Sequence, residues 1–281
     1  MKKLLITDLD NTLYDWVSFY AQSFTAMVNE LVIILGVPQS VLIEEFRQVH
    51  IKHGNSEYPF GALELKSVQQ KYAGLSREEV LHALDGAFHA FNSTRKKNLK
   101  CYDKVIDTLS SLKEDGVIIV GHTEAPVRNA IFRLKALGLI EFMKHLYTPQ
   151  DRNYNDLDPQ SKAWIESFGD FIYLLGEDEK KPNPRLLADI CAREGFKPDE
   201  AIYIGDSLVK DISMANDAGV DSVYAEYGRQ HNPEYWGTLV SITHWTKDDV
   251  ERETKLKELY GHVVPTHKIN SFDELIEIVN L

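Results

Sequence analysis

Four groups of polar residues, each set directly behind an apolar run, hold most of the chemistry this chain could do. Asp8, Asp10 and Thr12 stand in TDLDNT, Thr123 follows VIIVGH, Lys181 sits in KKPNP, and Asp206 and Asp211 stand in IYIGDSLVKD. Carboxylates brought together repel one another and call for a hard cation; oxygen ligands with few dedicated protein contacts suit magnesium. A carboxylate can attack phosphorus and form an acyl phosphate. A second carboxylate two residues on can protonate a leaving oxygen and later deprotonate water. A lysine and a hydroxyl can hold the phosphoryl oxygens as charge redistributes. Taken alone, each element is ordinary: a DxD caps helices, a Lys before Pro is usually solvated, and Gly-Asp-Ser is commonly a turn. The set in this order, each member behind an apolar strand, asks for phosphoryl transfer.

The elements that must position these residues are legible in outline. KKLLITDLDNTL reads as a buried strand followed by a loop. From residue 102 onward strands and helices alternate. The strands are Val117 to Val120, His145 to Thr148, Phe171 to Leu175, Ala201 to Ile204 and Ser222 to Ala225. The helices are Asp103 to Glu114, Pro126 to Leu137 with Gly138 as its stop, Pro184 to Gly195, and one ending near Gly219. This rhythm predicts an α/β fold with a doubly wound parallel sheet, in which ligands bind at the carboxyl ends of the strands. All four polar groups would then meet at one edge. QDRNYNDLDPQSKAW, residues 150–164, reads as a polar loop or insertion.

Residues 15–101 break the rhythm. They read as helices only: Trp16 to Leu35, Val41 to Lys52, Leu63 to Tyr72 and Arg77 to Thr94, the last capped by Ser76 with Glu79 at the third position. The division is a core of residues 1–14 and 102–281 and a helical domain of 15–101, with hinges near Leu13 to Asp15 and Cys101 to Asp103. Residues 226–266 form an extension of the core. It contains a helix in THWTKDDVERETKLKELYG with Thr246 as N-cap and Asp249 at the third position, preceded by a loop made aromatic by Tyr227, Tyr235 and Trp236. Its alternatives are a lid on the core's own surface and a homodimer contact. Residues 267–281 read as a last strand and helix.

Bulk properties narrow the function classes. The chain has 281 residues, 43% hydrophobic, enough for a large core with a smaller domain beside it. A formal net charge of −12 disfavours nucleic acid and anionic membranes as partners, so an anionic substrate must be met locally by a metal or a few cations. Two cysteines, Cys101 and Cys191, make a disulfide framework unexpected and point to free thiols in a reducing compartment. The apolar run Leu4 to Ile6 is too short for a signal peptide, and Leu31 to Leu35 is shorter than a membrane span. The expectation is a soluble, cytoplasmic protein.

The motifs resemble those of the haloacid dehalogenase (HAD) superfamily, in its phosphatase branch with a C1 helical cap. LLITDLDNT matches the hhhhDxDxT motif, Thr123 the second-motif Thr, Lys181 the third-motif Lys and GDSLVKD the acidic fourth motif; the resemblance covers roughly residues 1–14 and 102–225. It implies a Rossmannoid core, a cap at 15–101 and Mg2+ as cofactor. It also implies roles. Asp8 would be the nucleophile and a metal ligand. Asp10 would be the general acid and base, giving the metal its backbone carbonyl. Thr123 would hold the phosphoryl group and Lys181 would stabilise Asp8 and the transferring phosphate, with Lys180 the competing lysine. Asp206 would complete the metal site, Asp211 would be ligand or support, and Thr12 would brace the first loop. Dehalogenases of similar fold lack an acid at the position of Asp10. Glu124 departs from the neutral residue usual after the second-motif Thr; either only its backbone N–H faces phosphate, or its carboxylate selects a cationic or hydroxylated substrate. Tyr14 and Trp16, at the cap hinge, are candidate substrate contacts or hinge packing. His50, Lys52, His53 and Lys66 in the cap could meet a substrate or lie on solvated faces, and His50 with His53 could hold a metal.

The leading expectation is a magnesium-dependent phosphatase hydrolysing a small phosphorylated metabolite, such as a nucleoside monophosphate or a sugar phosphate, through an aspartyl-phosphate. The alternatives are a phosphosugar mutase using the same residues and a non-catalytic HAD-like binding module.

Overall fold

Short runs of β-branched and leucine residues build the sheet. In the computed structural model, which describes residues 2–58, 60–152 and 154–280, seven strands form one sheet: β1 (Leu4–Thr7), β2 (Ile118–His122), β3 (His145–Pro149), β4 (Ile172–Leu175), β5 (Ala201–Gly205), β6 (Asp221–Ala225) and β7 (His267–Ile269). Their order is 4-3-2-1-5-6-7 and every pairing is parallel. β1 and β5 are buried along their whole length, as expected of strands covered on both faces. Leu4, Ile6, Ala201 and Tyr203 join Leu187, Ile190, Met214 and Ala215 in one core cluster. Leu5, Ile119 and Ile202 alternate to the opposite face and are equally buried.

By contacts the chain forms two compact units. The sheet unit comprises 1–15, 100–230 and 255–281; the helical unit comprises 16–99 and 231–254.

In the helical unit, α1 (Trp16–Leu35) packs along α5 (Asp85–Asn98), with α2 (Gln39–His53), α3 (Lys66–Lys71) and α4 (Arg77–Ala83) around them. Its core is aromatic: Phe24 and Phe46 meet edge to face with ring centroids 4.9 Å apart. α4 opens with the capping box of Ser76 and Glu79. The helix expected over 77–94 is two helices. Leu84 leaves helical geometry (φ −98°, ψ 6°) and is fully buried there, just ahead of the poor helix formers Asp85 and Gly86. α1 is long and apolar enough by length and composition to cross a membrane, yet half of it is buried within the protein, as in a core helix.

In the sheet unit, α6 (Val105–Glu114), α7 (Val127–Ala136), α8 (Pro159–Glu166), α9 (Pro184–Glu194) and α10 (Ser213–Asp217) connect the strands. α8 begins inside the stretch expected to be loop and runs two residues past it. Asp158 accepts a hydrogen bond from Ser161 N (2.9 Å) and Pro159 occupies the first turn, so the start signal was present. Only Ile165 is buried, which is why the segment lacks a helical apolar pattern.

The extension divides. α11 (Pro233–Ser241), opened by Asn232 and Pro233 where an aromatic loop was expected, packs on α1 and α2 in the helical unit, whereas all of 226–266 was expected with the core. Leu239 and Ile242 supply the buried apolar contacts, and His50 Nδ1–H donates to the Ile242 carbonyl at 2.7 Å. Ser56 Oγ lies 2.9 Å from His244 Nδ1. α12 (Lys247–Tyr260) starts with the expected box, Thr246 and Asp249 exchanging hydrogen bonds. The chain ends with α13 (Leu275–Val279) in the sheet unit.

Candidate active site

The strand order reverses between β1 and β5, so the loops after these neighbours diverge and leave a crevice at their carboxyl ends. Asp8 follows β1 and donates its N–H to Ile204 of β5 at 2.9 Å. Asp206 follows β5, and Asp211 lies in a single π-helical turn, Leu208–Ile212. Gly205 makes this turn feasible: a Cβ there would stand 2.4 Å from the Asp211 carboxyl carbon. Gly228 is constrained in the same way, since a Cβ would meet the Asn11 carbonyl oxygen at 2.0 Å. The first loop turns at Asn11, whose φ of 59° suits asparagine.

Among the described residues, carboxylate oxygens of Asp8, Asp206 and Asp211 lie within 4.8 Å of one another. Lys181 is buried against them. Its Nζ is 2.5 Å from Asp8 Oδ1 and 2.9 Å from Asp211 Oδ1, whereas Lys180 is exposed. Thr12 Oγ1 donates to Asp8 Oδ2 at 3.3 Å. Asp211 also accepts from Tyr203 Oη (3.2 Å) and Ser207 N (3.0 Å). Burial, and then the charges of Asp211 and Asp206, push the Asp8 carboxyl well above the usual range against the pull of Lys181. Burial and Asp211 push Asp206 up to about 7, although Arg229 lies 3.7 Å away. Burial disfavours charge on Lys181, but Asp211 and Asp8 outweigh it and hold its pKa well up. Buried Lys181 and the more distant, half-exposed Arg229 against three carboxylates leave the group short of positive charge. A hard divalent cation fits that deficit and the all-oxygen donor set.

The remaining expected residues divide between the two units. Thr123 follows β2, buried, its N–H bonded to the Tyr147 carbonyl (3.0 Å) and its Oγ1 accepting from Ala125 N (3.0 Å). Glu124 pairs with Lys210 at 2.7 Å, a cation that offsets its charge. Tyr14 is fully buried in the sheet unit, bridged through its backbone to Asp10 and Cys101. Burial and then the Asp10 charge push its hydroxyl well above the usual tyrosine range. Trp16 belongs to the helical unit, stacked on Tyr20 (5.5 Å) with Nε1–H donating to Glu57 at 3.0 Å. His50 and His53 do not share a ligand there: His50 bonds Ile242, while His53 lies 2.9 Å from Glu64 and stacks on Tyr58. Lys52 pairs with Glu64, and Lys66 is exposed.

Sequence reasoning missed three neighbours of the site. Tyr203, inward on β5, supports Asp211 and lies under Lys181, its ring centroid 5.4 Å from Nζ. Tyr227 Oη donates to the Thr12 carbonyl at 2.7 Å. Arg133 of α7, buried, bonds the Asp10 carboxylate at 2.7 and 3.0 Å. The available signal for Arg133 was a cation on the apolar side of an amphipathic helix.

A family model described as haloacid dehalogenase-like hydrolase matches residues 2–219. The chain belongs to that family. This hydrolase is 25% identical over 237 residues to a glyceraldehyde 3-phosphate phosphatase of Methanopyrus kandleri, covering 83% of this chain and 88% of the relative. It is 26% identical to an N-acetylmuramic acid 6-phosphate phosphatase of Pseudomonas aeruginosa (86% and 91% covered). It is 27% identical to phosphoglycolate phosphatase 1 of the same organism (82% and 72%). The hydrolase shares its fold with a 2-haloacid dehalogenase of Pseudomonas syringae (TM-score 0.56, 18% identity, 100% and 99% covered). It shares it also with the HAD-hydrolase YfnB of Bacillus subtilis (TM-score 0.53, 17% identity, 100% and 99% covered). Both cysteines of the hydrolase are free thiols.

Proposed function

We propose that this hydrolase is a magnesium-dependent phosphatase that cleaves small phosphoric monoesters through a phosphorylated Asp8. The observation that carries the reading is Asp8 itself: a carboxylate at a strand end, held by Lys181 and Thr12 and clustered with Asp206 and Asp211. The named activities of the relatives, all on small phosphorylated molecules, support the substrate class, a phosphorylated sugar or organic acid. An Asp8 oxygen attacks phosphorus, the bond to the ester oxygen breaks, and Asp10 gives that oxygen a proton, releasing an alcohol. Water then attacks the same phosphorus, Asp10 takes its proton, and the carboxylate of Asp8 returns as phosphate leaves. Lys181 offsets the charge on Asp8 and the phosphoryl oxygens, and Thr123 holds the phosphoryl group. Asp8, Asp206 and the Asp10 carbonyl would hold the ion, while Asp211, engaged by Lys181, Tyr203 and Ser207, keeps Lys181 in place. Bound there, magnesium supplies the positive charge that lets dianionic phosphate approach carboxylates. Two free thiols support a reducing, cytoplasmic setting.

The test is a screen of phosphorylated metabolites with magnesium, scored by phosphate release against an Asp8→Asn control. The expected result is turnover of at least one small monoester, abolished by chelation, restored by added magnesium, and lost by several orders of magnitude in the variant. Turnover at full rate in chelator, or by Asp8→Asn, would defeat the proposal.

A further inference from the structure

From the hydrogen bonds that Arg133 of α7 makes to the Asp10 side chain, we infer that Arg133 is the positioning residue for Asp10, fixing the carboxyl group that serves the leaving oxygen and the attacking water. The inference rests on the phosphatase reading above.

Among the described residues, Arg133 is the largest side chain that is fully buried, at 1% exposure. It stands among Val127, Ala130, Ile131 and Leu134, the buried apolar residues of α7. A guanidinium in such a place is costly unless it is paired and hydrogen-bonded. Its Nη1 reaches both oxygens of Asp10, at 2.7 Å and 3.0 Å, across 123 residues of sequence. The Asp10 side chain keeps 24% of its exposure, so one side is held by the arginine and the other remains accessible. The Asp10 carboxylate also stands outside the acidic group of Asp8, Asp206 and Asp211. It is therefore placed by Arg133 and not by that cluster.

The loop around it is closed on itself. Asn11 N donates to the Tyr14 carbonyl at 2.9 Å, and Asp10 and Tyr14 form a backbone bridge. With the backbone pinned, the free variable is the Asp10 side-chain torsion; the guanidinium holds it, with the buried Tyr14 hydroxyl alongside. Proton transfer depends on placing donor and acceptor within hydrogen-bond reach, so holding that torsion acts on proton transfer and not on phosphate binding.

This predicts a split between steps. With an alkyl phosphate, the departing oxygen needs a proton from Asp10. With 2,4-dinitrophenyl phosphate it needs none, while hydrolysis of the acyl phosphate still requires Asp10 to accept a proton from water. Arg133→Met and Arg133→Lys are compared with wild type by rapid mixing, with thermal melting as the check on folding. In Arg133→Met, the single-turnover rate on an alkyl phosphate should fall about 10²-fold or more with KM within about threefold. Dinitrophenolate should still appear as a burst at close to the wild-type rate, followed by slowed steady-state turnover. Arg133→Lys should recover part of the loss. In an Asp10→Asn background, Arg133→Met should have little further effect on the alkyl ester. Equal losses in burst and alkyl rates, additive losses in the double variant, or unchanged or raised alkyl turnover would overturn the inference. If Arg133→Met does not fold, the same readouts apply to Arg133→Lys, where an alkyl-ester rate equal to wild type would overturn it. If wild type itself releases no phosphate and shows no burst, it is the phosphatase reading that fails.

Discussion

At the scale of residues, the balance around Asp8 is set by Lys181. Replacing a cation buried between two carboxylates leaves like charges facing one another, so Lys181→Met should lower kcat by at least about 10³-fold. Steady-state kinetics at saturating magnesium would check this; a loss under tenfold would mean that Lys181 is structural. Glu124 makes the opposite case. Its carboxylate is matched by Lys210 and both side chains are partly solvated, where an ion pair contributes little. Glu124→Gln should leave kcat/KM within about threefold, and a larger change would revive a role in substrate selection. Asp8 and Asp206 were legible because each lies just behind an apolar strand, and Lys181 because it stands directly before Pro182 in KKPNP. Arg133 was not, since its partner lies 123 residues away and an arginine in an amphipathic helix ordinarily reads as solvated.

At the scale of elements, a helix with a long apolar face, α1, was found at its observed bounds, while α4 was found at its capped start and not at its end, since none of its residues is buried. α8, whose burial is sparse, was not found. α11 was read as an aromatic loop, since Leu239 is its one buried residue and no apolar stripe marks the helix. Ile242, fully buried beside it, should cost about 2–4 kcal/mol when cut to alanine, read from denaturant unfolding. A cost below about 0.5 kcal/mol would deny that residues 231–254 are integral to the helical unit. The same region carries a pH dependence. Burial, with the charges of His244 and His53, lowers His50 to about 4 despite its bond to Ile242. The folded form holds His50 neutral, so the unfolded chain binds the extra proton between about pH 6.5 and 4. Stability from this group is therefore full above about pH 6.5 and declines as pH falls, on the order of 3 kcal/mol in total. Hydrogen exchange of α2 amides across that range should show the decline, and His50→Phe should flatten it. An unchanged slope in the variant would assign the effect elsewhere.

At the scale of the whole molecule, the change of pattern near residues 15 and 101 coincides with the first two boundaries between the units, at 15–16 and 99–100. The later pair, at 230–231 and 254–255, is invisible in composition because both flanks are equally polar. The parallel sheet accounts for why four distant sequence groups follow strands of one sheet, and its reversal beside β1 for why Asp8 and Asp206 are neighbours. A chain of net charge −12 draws a phosphate dianion only through local cations, and Lys181 beside Asp8 is the one the chemistry most needs. The most direct measurement is chemical trapping of the intermediate: acid quench during turnover of a small monoester with magnesium, borohydride reduction, and peptide mass analysis. The account predicts homoserine at position 8, formed only with substrate present and absent in Asp8→Asn. Phosphate release at full rate with Asp8 unmodified throughout would contradict it.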